Sequence, residues 1–262
     1  MKHARKGATW TRAAHMNVSR QTLLAIERAA VRAWPALETA EIDGWLWRYT
    51  GGGSQRANSV SPLTFTGADA EAAIDEMERR YRARGAFPMF QICDINAPAD
   101  LDDRLARRGY RLQEPCTALA KEIAPRELPP DIEIASSVSD PWLSVYLPGI
   151  TESRRQIAPQ ILAGVPAPRA FFLLRSHGEP MSAALGVVAH GVVVAECVAT
   201  RVEFRRSGGS ARIMTALEAW GAKQGATIAA LQAVAANAPA QALYAKLDYW
   251  PIGGYHYRVL DS

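Results

Sequence analysis

Residues 183–200 constrain the fold more than any other segment, because they are apolar almost without interruption. They read AALGVVAHGVVVAECVAT and follow a further apolar stretch, AFFLLR, after the turn SHGEP. A strand with one wet face alternates apolar and polar residues, whereas a strand covered on both faces is apolar throughout. The segment and AFFLLR together therefore predict three strands of a sheet with helices on both faces, which is an α/β (α+β) fold class.

The chain is long enough for one large domain or two small ones, since it has 262 residues of which 48% are hydrophobic. The segment PRELPPD at 125–131 is the best linker, because its prolines break helices and remove ladder donors. On either side, residues 85–110 and 225–249 share a glycine, a buried strand, the tetrapeptide Asn-Ala-Pro-Ala, a short helix and a tyrosine. We therefore predict two tandem copies, at 17–125 and 132–262.

The N-terminal copy predicts a scaffold without a phosphate loop. EIDGWLWRYT reads as one strand that pairs in a hairpin with the extended NSVSPLTF, and GGGSQR between them is not followed by a helix. The helix predicted at 69–85 begins with acidic residues, which repel phosphate. Arg56 and Asn58, with Trp45 and Trp47, are candidates for an acceptor pocket, although core packing explains the two tryptophans equally well.

Composition and residue spacing argue against a disulfide-rich, metal-binding, secreted or membrane-spanning protein. The net charge of +4 and the pI near 9.1 permit nucleic-acid binding but do not favour it. Three cysteines without paired spacing indicate a reducing, cytoplasmic compartment, and no Cys/His cluster has the spacing of a metal site. Segment 1–16 lacks the apolar stretch of a signal peptide and is expected to be disordered, and no segment is apolar enough for a membrane span. Nothing in the sequence predicts the oligomeric state.

The stretch VATRVEFRRSGGSARIMTALEAW carries the chemistry, because a strand runs through a glycine turn directly into an amphipathic helix. The first N–H groups of a helix have no internal partner, and the helix dipole adds positive charge there. Gly208 and Gly209 allow close backbone approach, and nearby arginines at 205, 206 and 212 add charge. The pattern favours a phosphate site, with a plain strand-to-helix turn as the alternative.

Two motifs in this region resemble those of the GNAT superfamily of N-acetyltransferases. Arg205, Gly208 and Ser210 fit its Arg/Gln-x-x-Gly-x-Gly/Ala loop, with serine at the last position. About thirty residues later, the pattern N-x-x-A-x-x-L-Y is met by Asn237, Ala240, Leu243 and Tyr244. The resemblance implies a mixed central sheet flanked by helices and acetyl-CoA as cofactor. It also suggests a bacterial tandem type with a degenerate N-terminal half.

The resemblance also implies roles for individual residues. The pantetheine arm is expected to pair with the strand end at Ala199 and Thr200, and Asn237 to lie near its amides or only to cap a helix. The backbone N–H groups expected to hold the pyrophosphate are those of Arg206, Gly208, Gly209, Ser210 and Ala211. Arg205, at the first position of the loop motif, is expected to add positive charge.

For the reaction, the family implies direct attack of a primary amine on acetyl-CoA in a ternary complex. Tyr244 stands where the family places the acid that protonates the CoA thiolate. The alternative is that Tyr244 only packs between helix and sheet. Glu196 is the candidate water-mediated base, because a charge within the apolar strand VVVAECVA is costly unless it has a function or is paired. The alternative is that Glu196 faces the edge of the sheet or is paired with another charge.

Beyond the donor, the acceptor remains a small-molecule or peptide amine of unspecified type. A catalytically weak acyl-CoA-binding sensor or interaction module is the alternative function, and the serine at 210 and Asp248, where the family prefers glycine, allow it. Nucleic-acid binding rests on the pI alone.

Overall fold

The computed structural model describes residues 18–261, and the segment 1–16, predicted to be disordered, lies outside them. Seven α-helices and ten strands are formed within these residues. In chain order they are α1 (Arg20–Ala33), β1 (Glu38–Ile42), β2 (Trp45–Tyr49), α2 (Ala70–Arg82), β3 (Met89–Cys93), α3 (Leu101–Arg107), β4 (Arg111–Glu122), β5 (Ile132–Ala135), α4 (Asp140–Tyr146), α5 (Glu152–Gly164), β6 (Arg169–Ser176), β7 (Glu179–Ala189), β8 (Val192–Thr200), α6 (Gly209–Lys223), β9 (Ile228–Val234), α7 (Ala238–Lys246) and β10 (Trp250–Val259).

Eight of the strands form one mixed sheet in the order β3-β10-β4-β9-β8-β7-β6-β5. Only β8 and β9 among these strands run parallel; their neighbours pair antiparallel. The hairpin β1-β2 forms a separate two-stranded sheet. The predicted mixed sheet with flanking helices is confirmed.

Helices cover both faces of the strands β6 to β8, as their apolar sequences predicted. On one face, α1, α4 and α5 place Ile26, Trp142 and Ile161 against β7 and β8. On the other face, α6 contributes Ile213 and Leu217. We call the first the α1 face and the second the α6 face. No helix within residues 18–261 has the length and apolarity that a membrane crossing requires.

The two halves of the chain exchange their last strands. β4 from the N-terminal half pairs with β9, whereas β10, at the C-terminal end, pairs with β3. β4 and β10 lie side by side between these partners. The element order helix, strand, helix, strand thus occurs twice, and the repeats share one sheet through the exchange. The division into domains at 17–125 and 132–262 stays a prediction, although the final strand of the second segment lies among strands of the first.

One predicted pairing is wrong. EIDGWLWRYT is not a single strand, because Asp43 and Gly44 have φ values of 50° and 82° and turn it into the hairpin β1-β2. Two successive positive φ values match the turn type for which Asp-Gly is favoured in two-residue hairpins. NSVSPLTF instead forms isolated bridges, from Ser61 to Leu46 and from Val60 to Phe90.

Gly221 allows α6 to lie directly on β8. A Cβ atom at this position would be 2.5 Å from Cγ1 and 2.6 Å from Cβ of Val193. Gly221→Ala is therefore expected to lower the free energy of unfolding by about 1–3 kcal/mol through overpacking, against the gain of about 1 kcal/mol in helix propensity. Urea unfolding of Gly221→Ala and of Gly221→Ala/Val193→Ala provides the test. A double variant that is no more stable than the single one would contradict the proposed clash.

Candidate functional site

The parallel strands β8 and β9 separate soon after they meet. They pair only from Val192 to Val194 and from Ile228 to Ala230. A cavity of about 830 Å³ opens where they diverge, lined by residues 195–198 of β8 and 232–234 of β9. Backbone groups of β8 beyond Val194 therefore face the cavity without a partner strand, and an amide-bearing chain can pair with them as an added strand does.

A β-bulge in β8 lies at the centre of this cavity. Ala183 pairs with Ala199 and Leu185 with Glu196, so that Cys197 and Val198 oppose Ala184 alone. Cys197 has a φ of 56°, which is unusual for a residue other than glycine. The Ala184 carbonyl accepts a hydrogen bond of 3.0 Å from Trp142 Nε1. The bulge bends the strand where it borders the cavity.

The predicted anion site has the expected local geometry. Gly208 adopts a left-handed φ of 86°, and α6 begins at the next residue without a side-chain cap. The first intrahelical bond runs from the Arg212 amide to the Gly208 carbonyl, so the preceding amides have no helical partner. Arg205 and Arg206 are exposed and make no ion pair within residues 18–261, whereas Arg212 is paired with Asp131.

Three hydroxyl groups connect the end of β8 to the start of α6. Thr200 Oγ1 lies 2.8 Å from Ser182 Oγ and 2.8 Å from Ser210 Oγ. A Cβ atom on Gly209 would lie against Ser182 Oγ and within 2.7 Å of Met181 Cε, so this position requires glycine for packing. Ser182 is fully buried, and no motif in the sequence pointed to it. Ser210 thus connects the end of β8 to the start of α6 through a side-chain hydrogen bond.

Tyr244 lies on α7 and lines the cavity from the α6 face. Its ring packs against Tyr249, and its hydroxyl makes no hydrogen bond to any of the described residues. Burial, followed by the Glu196 carboxylate, raises the pKa of Tyr244 above that of a free tyrosine. The ring therefore packs between helix and sheet, and its phenol borders the cavity, while the role of Tyr244 as an acid stays a prediction.

Asn237 caps α7, as the simpler of its two predicted roles requires. Its side-chain oxygen accepts a hydrogen bond of 3.2 Å from the Ala240 amide, with Pro239 in the first turn. Asn237 is exposed and also lines the cavity. Whether it contacts a pantetheine amide stays a prediction.

Glu196 is paired, which is one of the alternatives that the sequence left open. Both of its oxygens accept hydrogen bonds of 2.6 Å from Arg56, which lies 140 residues earlier in the chain. The carboxylate and the guanidinium are largely buried, with 7% and 12% of their side chains exposed. Burial lowers the pKa of Arg56, but the charge and hydrogen bonds of Glu196, together with smaller contributions from Tyr255 and Tyr257, outweigh burial, and the pKa is raised. This ion pair connects the N-terminal half of the chain to β8 beside the cavity.

The segment 52–58 carries Arg56 to the cavity, and Asn58 holds its shape. Asn58 accepts a hydrogen bond of 2.8 Å from the Thr50 amide and donates one of 2.7 Å to the Ser54 carbonyl. Arg56 and Asn58 line the cavity, and their place in an acceptor pocket stays a prediction. Trp45 and Trp47 do not, because both are buried in the separate core beneath the β1-β2 hairpin.

A buried carboxylate, Glu27 on α1, extends this polar network. Gln232 Nε2 donates to both Glu27 oxygens at 3.2 and 3.1 Å, and its carbonyl oxygen accepts from Arg56 at 3.3 Å. Burial raises the pKa of Glu27 from 4.5 to about 7, although Gln232 and the charge of Arg56 oppose the shift.

The raised pKa of Glu27 predicts a pH-dependent stability. Between about pH 4.5 and pH 7 the folded state holds a proton that the unfolded state releases. The contribution of this group to the free energy of unfolding therefore falls as pH rises through that window, by roughly 3 kcal/mol in all. Urea titrations at several pH values should show a flatter profile for Glu27→Gln than for the wild type. Parallel profiles would contradict the assignment.

Comparison with known proteins agrees with this geometry. Residues 21–258 match the family described as Probable histone acetyltransferase Rv0428c C-terminal. The Bacillus subtilis (strain 168) protein called Uncharacterized N-acetyltransferase YobR is 29% identical over 252 residues, which span 89% of this chain and 97% of that protein.

Solved structures share the fold. The GCN5-related N-acetyltransferase from Kribbella flavida superposes with a TM-score of 0.68 at 18% identity, covering 95% of this chain and 97% of its own. A tandem GNAT protein from the clavulanic acid biosynthesis pathway has a TM-score of 0.56 at 10% identity, covering 77% and 74%. The resemblance found in the sequence is confirmed, and the chain belongs to the Rv0428c C-terminal family of GNAT-type N-acetyltransferases, enzymes that use acetyl-CoA.

Proposed function

We propose that this chain transfers an acetyl group from acetyl-CoA to a primary amine by direct attack within a ternary complex. The observation that carries the proposal is the cavity at the divergence of β8 and β9, which Tyr244 borders on one face and α4 and α5 border on the other. Two substrates can thus approach the bulge at Cys197 from opposite faces of the sheet. The proposal requires no covalent enzyme intermediate.

The residues present fit acetyl-CoA. The amides of Arg206, Gly208, Gly209, Ser210 and Ala211 would hold the pyrophosphate at the α6 N-terminus, with Arg205 and Arg206 free to add charge. Ala199 and Thr200 would pair with the pantetheine arm, and Asn237 would lie near its amides. When bound, acetyl-CoA supplies a thioester that an amine can attack.

The transfer of acetyl to an amine forms a C–N bond and breaks the C–S bond, so the amine loses a proton and the sulfur gains one. Tyr244 is the proposed proton source for the sulfur, because its phenol stays neutral and makes no competing hydrogen bond among the described residues. A proton donor held at this point stabilises the thiolate as the bond breaks.

Glu196 remains the proposed base, acting through a water molecule. Arg56 occupies one lone pair on each carboxylate oxygen, and a carboxylate has about four acceptor sites in all. The guanidinium fixes the direction of the carboxylate toward the cavity. The water would take the amine proton and pass one of its own protons to Glu196, while Arg56 holds Glu196 in place.

Calorimetric titration with acetyl-CoA, followed by thiol release across a panel of amines, tests the proposal. Tight binding with acetylation of at least one amine is expected. Tight binding without turnover of any acceptor would overturn the enzymatic function and leave a binding module.

Gly208→Val tests the position of the pyrophosphate. A β-branched residue is strained at a φ of 86° and would displace the phosphate-facing amides, so we expect acetyl-CoA affinity to fall by about tenfold or more while kcat at saturation changes little. Gly225→Val is the matched control, because Gly225 ends the same helix with the same φ of 86° and open space around it. Equal losses of affinity in both variants would mean that the loop does not hold the pyrophosphate.

A further inference from the structure

Two polar side chains on the α1 face of the cavity have buried atoms without hydrogen-bond partners among the described residues. They are the hydroxyl of Tyr146, at the end of α4, and Nε of Arg154, in the first turn of α5. Tyr146 is 4% exposed, and its polar neighbour is the Cys197 thiol, a weak acceptor. Both residues line the cavity beside the β8 bulge. Buried polar atoms are normally paired, so these two atoms indicate a missing ligand group.

Arg154 also lacks a counter-charge in the part of the chain that the structure describes. Of the two carboxylates that line the cavity, Glu196 is held by both arms of Arg56, and Glu114 is exposed on the bulged strand β4. Arg154 makes no ion pair within residues 18–261, although its guanidinium lies 5.1 Å from the ring centroid of Trp34. A cation partly removed from water is costly unless an anion pairs with it.

The missing anion does not come from the phosphates of acetyl-CoA. The phosphate loop leads into α6, which packs on the α6 face with Tyr244, whereas Tyr146 and the helix that carries Arg154 pack on the α1 face. The two groups therefore lie on opposite faces of the sheet. A ligand of Arg154 must therefore enter from the acceptor side of the bulge.

We propose that the acceptor is a primary amine that also carries an anionic group, a carboxylate or a phosphate. This inference rests on the proposed function and deepens it. Arg154 would pair with the anionic group through its fork of N–H donors, held in plane by Trp34, and the Tyr146 hydroxyl would donate a further hydrogen bond. The same guanidinium would repel polyamines and lysine-rich peptides and favour the neutral form of the attacking amine.

Matched acceptors that differ only in the anionic group test the inference. We would measure kcat/KM for ω-amino acids of increasing chain length, for their primary amides, for aminoalkyl phosphates, for a polyamine and for a lysine-rich peptide. The variants are Arg154→Gln, Arg154→Lys and Tyr146→Phe, with Arg107→Gln on the distant, exposed face of α3 as control. Calorimetric binding of each acceptor to the complex with CoA gives a second readout that needs no turnover.

The wild type is expected to prefer the anionic member of a pair by about tenfold or more, the discrimination that a charge-assisted hydrogen bond supplies. Arg154→Gln should abolish that preference, Arg154→Lys should keep part of it, and Arg107→Gln should leave it unchanged. Comparison of the ω-amino acids with the aminoalkyl phosphates shows which anionic group the site prefers.

Equal or faster acetylation of amides, polyamines or the lysine-rich peptide would overturn this inference and leave the proposed function intact. If no amine is acetylated, the proposed function fails and calorimetry decides: anion-dependent binding that is lost in Arg154→Gln would still support the site, and its absence would overturn it.

Discussion

Tyr244→Phe is expected to lower kcat by about 10²-fold or more, which is the usual size of a proton-transfer contribution, while acetyl-CoA affinity changes little. The substitution removes only the hydroxyl, and that hydroxyl makes no hydrogen bond among the described residues, so stability should be nearly unchanged. Steady-state kinetics and calorimetric titration with acetyl-CoA provide the two measurements.

Tyr249→Phe is the matched control for this prediction. Tyr249 packs against Tyr244 with ring centroids 5.9 Å apart, but its hydroxyl bonds to the buried Glu218 at 3.0 Å and it does not line the cavity. This variant should lose stability and keep its turnover. If Tyr244→Phe weakens acetyl-CoA binding as much as it lowers turnover, the phenol serves binding and not proton transfer.

Arg56→Ala is expected to lower the free energy of unfolding by about 3 kcal/mol, because it leaves the Glu196 charge unpaired in a largely buried position. The value is at the low end of the range for buried pairs, since water can enter the adjoining cavity. Urea unfolding gives the measurement, and the acetylation rate should fall with it as Glu196 loses its fixed direction.

Two further variants separate structure from chemistry. Arg79→Ala removes an exposed pair with Glu76 and should leave the unfolding midpoint close to that of the wild type. Arg56→Met/Glu196→Leu should regain much of the lost stability, because apolar replacement of both partners removes the unpaired charge. Activity in this double variant would rule out Glu196 as the base, and wild-type stability in Arg56→Ala would show that the pair does not join the halves.

Local patterns were sufficient for much of the fold. The strands β6, β7 and β8, the helix after Gly208 and the turns at His177 and His190 follow from short-range periodicity and turn residues. The hairpin at Asp43-Gly44 was equally readable, because Asp-Gly is a strong turn signal, and it was missed because the aromatic residues around it suggested one continuous strand.

The residues that form the cavity and its surroundings also differ in whether a local sequence pattern could identify them. Those on β8, the loop and α7 belong to contiguous motifs, so their order along the chain indicates their place. Ser182 and Arg154 belong to no motif, and their role follows from what they contact or fail to contact.

The sequence by itself determined that helices cover a sheet on both faces, that a glycine turn leads into α6, and that Tyr244 lies on the helix after the next strand. Tertiary structure alone decided that β4 and β10 exchange between the halves, that Arg56 reaches Glu196 across 140 residues, and that Arg154 has no counter-charge among residues 18–261. The physical reason is that periodicity and capping depend on neighbours a few residues apart, whereas strand exchange and ion pairing depend on which distant surfaces meet.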